Sequence, residues 1–168
     1  MRHGAGPTPL TPEGRWFSAV ATVDRTRGQL ICVREDHSDP SAEPVNTLVA
    51  IRYDDAPSIG TVIASGYDFY STPRLSPDGT RLSWICWRHP QMPWDGTELW
   101  ITEIGRTGLL SGARRVAGGD AESIYQPGWL PDGARGGARD RDGWWRLYRW
   151  RDEQVAPLLA APPAETEF

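Results

Sequence analysis

Two cysteines, three histidines and no long apolar run set the first limits on this 168-residue chain. Two thiols are too few for a disulfide framework, so Cys32 and Cys86 are expected to be reduced and structural. No segment approaches the roughly 18 consecutive apolar residues that a spanning helix requires, and no membrane partner is expected. The start, Met1-Arg2-His3-Gly4-Ala5-Gly6-Pro7, has a positive residue but no apolar stretch behind it. No secretory leader is read there, and a cytoplasmic location is the expectation. A formal net charge of −4 gives no basic excess to attract nucleic acid. No long stretch carries a helical period, which disfavours a parallel α/β fold.

What is present is a repeat. Tyr70-Ser71-Thr72-Pro73-Arg74-Leu75-Ser76-Pro77-Asp78-Gly79 recurs as Ile124-Tyr125-Gln126-Pro127-Gly128-Trp129-Leu130-Pro131-Asp132-Gly133, with Pro131 lying 54 residues after Pro77. A more degenerate copy runs through Val23 to Leu30, where Leu30 answers Leu82, 52 residues on. The segments Thr47-Leu48-Val49-Ala50-Ile51, Glu98-Leu99-Trp100-Ile101-Thr102 and Arg146-Leu147-Tyr148-Arg149-Trp150 follow the same register, 51 and then 48 residues apart. Cys32 and Cys86 fall on corresponding strands of successive copies. Self-similarity at this period marks one supersecondary unit used several times.

Each unit reads as four short strands. The Pro-Asp-Gly turn supplies a fixed φ, a side chain that bonds back to the backbone and a positive φ in succession. The strands are rich in Val, Ile, Leu and Trp with broken alternation, as in sheets buried on both faces. The fold class is therefore all-β, a partial β-propeller of about three four-stranded blades. The boundaries are an N-terminal segment at 1–14, blades at 15–66, 67–119 and 120–160, and a disordered tail at 161–168. Closed propellers typically hold four to eight blades. Three make an open arc, and its uncovered outer blade faces predict self-association. Nine Trp are read chiefly as packing between blades, Trp84, Trp100 and Trp129 among them.

Four runs carry a family resemblance: residues 29–37, residues 43–48, Asp68 to Gly79, and above all His89-Pro90-Gln91-Met92-Pro93-Trp94-Asp95-Gly96-Thr97-Glu98-Leu99-Trp100. Together they resemble the propeller of prolyl oligopeptidase-type serine peptidases, in the acylaminoacyl-peptidase and dipeptidyl-aminopeptidase branch. The Pro-Asp-Gly turn itself is shared with the wider TolB-like propellers. The resemblance implies a cap over an α/β-hydrolase domain that filters substrates by size and helps hold a peptide's amino end. It also implies that the hydrolase is lost by truncation or supplied in trans. No Gly-x-Ser-x-Gly elbow occurs in this sequence, so no catalytic residue is assigned and the chain alone is expected not to be an enzyme.

His3, His37 and His89 lack Ser and Asp neighbours in a triad order, and Ser38 and Asp39 beside His37 are too close in sequence to converge with it. No cofactor is expected. A metal site built from His37, His89 and an acidic neighbour has no short ligand spacing behind it. One departure stands out: Ala134-Arg135-Gly136-Gly137-Ala138-Arg139 occupies the place of an apolar strand. Gly and Arg there predict an irregular third blade and raise the prospect of a gene fragment.

Antiparallel order puts the loop after each second strand and the link to the next blade on one rim. That rim gathers Glu35, Asp36, His37, Arg88, His89, Trp94, Asp95 and Asp142 from the first set of loops. Asp68, Tyr70, Glu122 and Tyr125 come from the second. Acidic groups there suit a peptide's amino end and aromatic rings suit its side chains; the bland alternative is a solvated rim. Three functions follow: a non-catalytic propeller segment of a serine peptidase, a stand-alone TolB-like or WD-repeat-like interaction module, or a metal-dependent propeller enzyme. Three blades cannot surround a central ion, which weighs against the last.

Overall fold

Segments of four to ten residues between Pro, Gly and Asp turns form short strands. The computed structural model describes residues 6–151 and 154–159, and among these it contains twelve strands and no helix. The readings made on His3 and on the tail at 161–168 lie outside the described residues. The first sheet holds β1 (Trp16–Asp24), β2 (Gln29–Asp36), β3 (Val45–Arg52) and β4 (Thr61–Ala64). The second holds β5 (Phe69–Leu75), β6 (Arg81–Trp87), β7 (Thr97–Ile104) and β8 (Leu110–Gly119). The third holds β9 (Ile124–Trp129), β10 (Arg135–Arg139), β11 (Arg146–Arg151) and β12 (Gln154–Pro157). Each is an antiparallel meander in chain order, and none closes on itself. The chain is an open, partial β-propeller of three blades. Among the described residues no helix is long and apolar enough to cross a membrane.

The first strands β1, β5 and β9 form the inner edge, with β5 in contact with both β1 and β9. Each carries a non-glycine residue at positive φ in the same place: Val20 at 49°, Thr72 at 52° and Gln126 at 47°. In β1 and β5 these sit where the pairing register slips, between Ala19 and Thr22 and between Ser71 and Arg74. A bulge bends its strand and sharpens the twist. The backbone strain, about 1–3 kcal/mol at each site, recurs in all three blades and is sustained by the packing around it.

The Pro-Asp-Gly turns behave as their chemistry dictates. Asp78 Oδ1 accepts the Thr80 N–H at 3.1 Å and the Ser76 and Thr80 hydroxyls at 2.6 and 2.9 Å, while Gly79 takes φ 69°. Those hydrogen bonds, led by Ser76, hold the Asp78 carboxyl down at about 2. Side chains at this end tie neighbouring blades. Arg27, paired with Asp24 at 2.9 Å, donates to the carbonyls of Gly79, Ile104 and Gly105. Arg81 donates to the Gly133 carbonyl at 3.2 Å.

The core lies between blades. Ile31, Leu48, Leu82, Trp84 and Cys86 pack the first interface, and Leu99, Ile124 and Trp150 the second. Both cysteines are free and buried, and burial pushes both thiols up. The expectation of uncovered outer faces fails for the first blade. There Cys32, Val49 and Ile51 are buried under Leu10 of the N-terminal segment, whose carbonyl accepts the Ser58 N–H at 3.0 Å. It holds for the third blade, where the register aligns Tyr125, Ala138 and Leu147 across one outward face, with Tyr125 59% and Leu147 48% exposed.

The expectation of a damaged third blade also fails. Residues 135–139 form a strand paired on both sides, continuously with β11 and with one register shift against β9 between Gly136 and Ala138, of the kind that the first two blades also carry. The hairpin before it is one residue shorter than its counterpart, closed by Leu130 N–H to Ala134 O where the second blade uses Ser76 N–H to Arg81 O. The shift puts Arg135, Gly137 and Arg139 on the buried face in place of Leu82, Trp84 and Cys86. Volume has moved between strands. Trp150 pairs across from Arg135 as the smaller Thr102 does from Leu82, and a Cβ on Gly137 would lie 3.3 Å from the Trp150 ring. Arg139 is ion-paired with Glu122 and lies 4.9 Å from the centre of the Tyr148 ring. Arg135 lies 5.4 Å from that of Trp129. Guanidinium groups stacked on aromatic faces substitute here for aliphatic side chains.

Candidate functional site

The loops between second and third strands and the links between blades emerge at the end opposite the Pro-Asp-Gly turns, as antiparallel order requires. In the first blade Asp36 accepts both the N–H and the hydroxyl of Ser38, at 3.0 and 2.5 Å. The Ser38 hydroxyl, foremost, keeps that carboxyl below its ordinary range. The His37 N–H donates to Arg15 O at 2.8 Å, and its Nε2 lies 3.2 Å from Glu35 Oε2. The edge of the Phe17 ring meets the imidazole at 5.0 Å. Glu35, Asp36 and His37 therefore form one small polar group over Phe17.

A second group joins the first and second blades. Asp68 Oδ2 accepts the His89 N–H at 2.9 Å, and its carbonyl accepts Asn46 Nδ2 at 2.8 Å. The His89 ring stands edge-on to Phe69 at 4.8 Å, and Phe69 stacks on Trp87 at 5.2 Å. Arg88 lies 4.0 Å over the centre of the Tyr67 ring. Tyr67 in turn donates its hydroxyl to Glu98 Oε2 at 2.6 Å, an oxygen that also accepts Trp100 Nε1 at 2.7 Å. Arg115 holds the other oxygen at 3.1 Å. Burial opposes ionisation of Glu98, but the donors from Tyr67, Trp100 and Arg115 outweigh it and keep the carboxyl below its usual range.

The loop from Arg88 to Gly96 presents Trp94, 62% exposed, at its tip. Asp95 braces the loop internally by accepting the Met92 N–H at 3.0 Å. Gly96 is required at the base, because a Cβ would come within 2.7 Å of the backbone of Gly119 and Asp120. The Pro93 carbonyl accepts the Ser123 hydroxyl, and the Ser123 N–H reaches Asp140 Oδ1 at 2.7 Å. This ties the Trp94 loop to the third blade. Beside it, the exposed Tyr125 ring meets Trp145 edge-on at 6.1 Å, and Asp142 accepts the Tyr148 hydroxyl at 3.1 Å.

The structure thus sorts the rim residues named from sequence. Asp68 and His89 are brought together, Arg88 is drawn onto Tyr67, and Trp94 and Tyr125 are offered to solvent. Two readings need correction. Tyr70 is 6% exposed and sits in the core, its hydroxyl accepting the Tyr67 N–H at 3.2 Å; burial pushes that phenol up to about 12. Glu122 neutralises the buried Arg139. His37 and His89 lie in separate groups, and no cluster of three metal-ligating side chains occurs among the described residues. Asn46, Tyr67 and Glu98 were missed. Glu98 lay inside the run from His89 to Trp100 but reads locally as one polar position on a strand. Trp100 lies two residues along the same strand, but Tyr67 comes from the link before β5 and Arg115 from β8, and only the fold brings these two to it.

No family model matches the chain, and no curated protein matches it. Solved structures do. A puromycin hydrolase is 32% identical over 95% of this chain, with a TM-score of 0.87. A puromycin-hydrolyzing peptidase of Mycobacterium tuberculosis is 30% identical over 93% of it, with a TM-score of 0.83. The β-propeller domain of the Trilobed protease from Pyrococcus furiosus matches at 12% identity over 89% of this chain and 59% of its own, with a TM-score of 0.48. The chain spans 26% of the length of each of the first two.

Proposed function

We infer that this chain is a propeller segment of a serine peptidase of the prolyl oligopeptidase family, of the kind that includes the puromycin-hydrolysing enzymes. The observation that carries the reading is the match to a puromycin hydrolase over 95% of the chain at 32% identity. Its role is to gate and hold substrate for a hydrolase domain that other sequence supplies. In this reading the loop rim faces that domain. Asp68 and Glu35 offer carboxylates to a substrate's amino group, and the exposed rings of Trp94 and Tyr125 take its side chains. The apolar row Tyr125, Ala138 and Leu147 on the third sheet is where further protein packs.

The experiment is to assay the purified chain on aminoacyl and peptidyl amides, alone and after mixing with the hydrolase domain of a puromycin-hydrolysing peptidase. No turnover alone and a gain in rate or size selectivity on mixing is the expected result. Turnover by the chain alone that a chelator abolishes would overturn the reading in favour of a metal-dependent propeller enzyme. Capture of a partner unrelated to proteolysis, with no effect on the hydrolase, would favour a stand-alone interaction module.

A further inference from the structure

Between the first and second blades, the outer strands β4 and β8 wall a cavity of about 510 Å³. Tyr67, Tyr70, Trp84 and Trp100 line it, with Ile63 of β4 and Leu110 of β8. The Trp84 and Trp100 rings are nearly parallel, 6.4 Å between centres, and Tyr67 stands edge-on to Trp100 and to Tyr70, at 6.1 and 6.2 Å. Among the described residues no charged side chain lines the space, and none of the residues offered above to a peptide does.

Both walls bulge where they face the cavity. On β4, Leu48 pairs with Ala64 and Val49 with Val62, which leaves Ile63 over. On β8, Ile101 pairs with Arg114 and Glu103 with Ser111, so Gly112 and Ala113 stand opposite the single Thr102, and Gly112 takes φ 65°. A bulge bends its strand and interrupts the ladder, so neither wall is a straight edge to which an extended peptide could add. The space suits a compact ligand instead. An apolar cavity of about 150 Å³ holds one benzene ring, and small-molecule sites run from about 300 to 1,000 Å³. This one has room for two fused rings.

The hydrogen bonds of the four lining rings narrow the chemistry further. The Tyr67 hydroxyl and Trp100 Nε1 both donate to Glu98, and the Trp84 indole is bonded to the Cys86 thiol. Tyr70 differs. It is 6% exposed and its oxygen accepts the Tyr67 N–H at 3.2 Å, but its own hydrogen has no acceptor among the described residues. Buried polar groups are as a rule hydrogen-bonded, and here one donor is left over in a wall of aromatic rings.

We propose that this cavity binds a neutral, flat molecule of two fused rings, at least one of them aromatic, carrying one hydrogen-bond acceptor. The ring packs on the aromatic lining and the acceptor takes the Tyr70 hydroxyl. Neutrality follows from the lining, where an ion would lose its water without gaining a partner.

The test is isothermal titration of the full chain with coumarin, a flat two-ring lactone, and with octahydrocoumarin, which keeps the carbonyl acceptor but has no aromatic ring. Saturable binding of coumarin to one site is expected, with octahydrocoumarin about tenfold weaker. Tyr70→Phe removes the donor and should weaken coumarin about tenfold. Ala64→Phe, at a position that packs against this inter-blade core and lines the cavity, should fill the space and abolish binding. A thermal scan checks that both variants fold, and the comparison of the two lactones on the unaltered chain needs neither. Absence of saturable heat with coumarin, equal affinity for the two lactones, or undiminished coumarin binding by a folded variant overturns the proposal.

Discussion

Replacing Arg139 by methionine should cost this chain several kcal/mol, although the sequence around it reads as damage. The Arg139 side chain is 4% exposed and its partner Glu122 17%. Methionine keeps much of the buried stem volume but leaves the Glu122 carboxylate without its cation and the Tyr148 ring without the guanidinium at 4.9 Å. Breaking a buried ion pair from one side costs about 3–5 kcal/mol. Glu122 retains some solvent contact, so the lower end, about 3 kcal/mol, is the working figure. For a domain of this size each kcal/mol moves Tm by about 2–4 °C, so a fall of roughly 6–12 °C is expected. Glu122→Gln alone should destabilise similarly, and the double variant Arg139→Met/Glu122→Gln should recover part of the loss. A coupling energy in the range of about 0.5–3 kcal/mol is typical of residues in contact. Urea titration followed by tryptophan fluorescence measures all four proteins. A loss under 1 kcal/mol for Arg139→Met, or strict additivity in the cycle, would refute the account of the third blade given above. The same series separates the two readings of Glu122, since a ligand-binding carboxylate could be neutralised without loss of stability.

Two further outcomes follow from the geometry. Gly96→Ala should destabilise by about 1–3 kcal/mol, the usual cost of overpacking, because the new Cβ meets the backbone of Gly119 and Asp120. Gly119→Ala, where a Cβ meets nothing within 4 Å, should stay within about 0.5 kcal/mol, and paired denaturation curves check both. Lowering the pH should destabilise the fold through Glu98 and Asp78, whose carboxyls are held below their ordinary values of 4.5 and 3.8. A carboxyl depressed in the folded state contributes stability above its unfolded pKa and loses it as pH falls through the folded one. Melts should therefore fall from about pH 4.5 toward pH 2, and Glu98→Gln should flatten part of that slope. An unchanged slope in the variant would refute the role assigned to Glu98.

The sequence by itself determined the repeat, and with it twelve short strands in three meanders, because turn chemistry and strand pattern are local. Pro77-Asp78-Gly79 and Pro131-Asp132-Gly133 need only neighbouring residues to set their backbone, so they could be read without partners. Antiparallel order then placed the loops on one rim. Which rim residues face solvent was not legible, since Tyr70 and Trp94 differ in burial only through what packs on them. Nor was the third blade, where one residue fewer in the hairpin shifts Arg135, Gly137 and Arg139 inward and lets Trp150 supply the missing volume. The covering of the first blade by Leu10, the Tyr67 and Arg115 donors on Glu98 and the pairing of Arg135 with Trp150 all join elements distant in the chain. Tertiary structure alone decided these, because burial of a charge or a ring depends on packing between blades, and a local pattern carries no record of the partner.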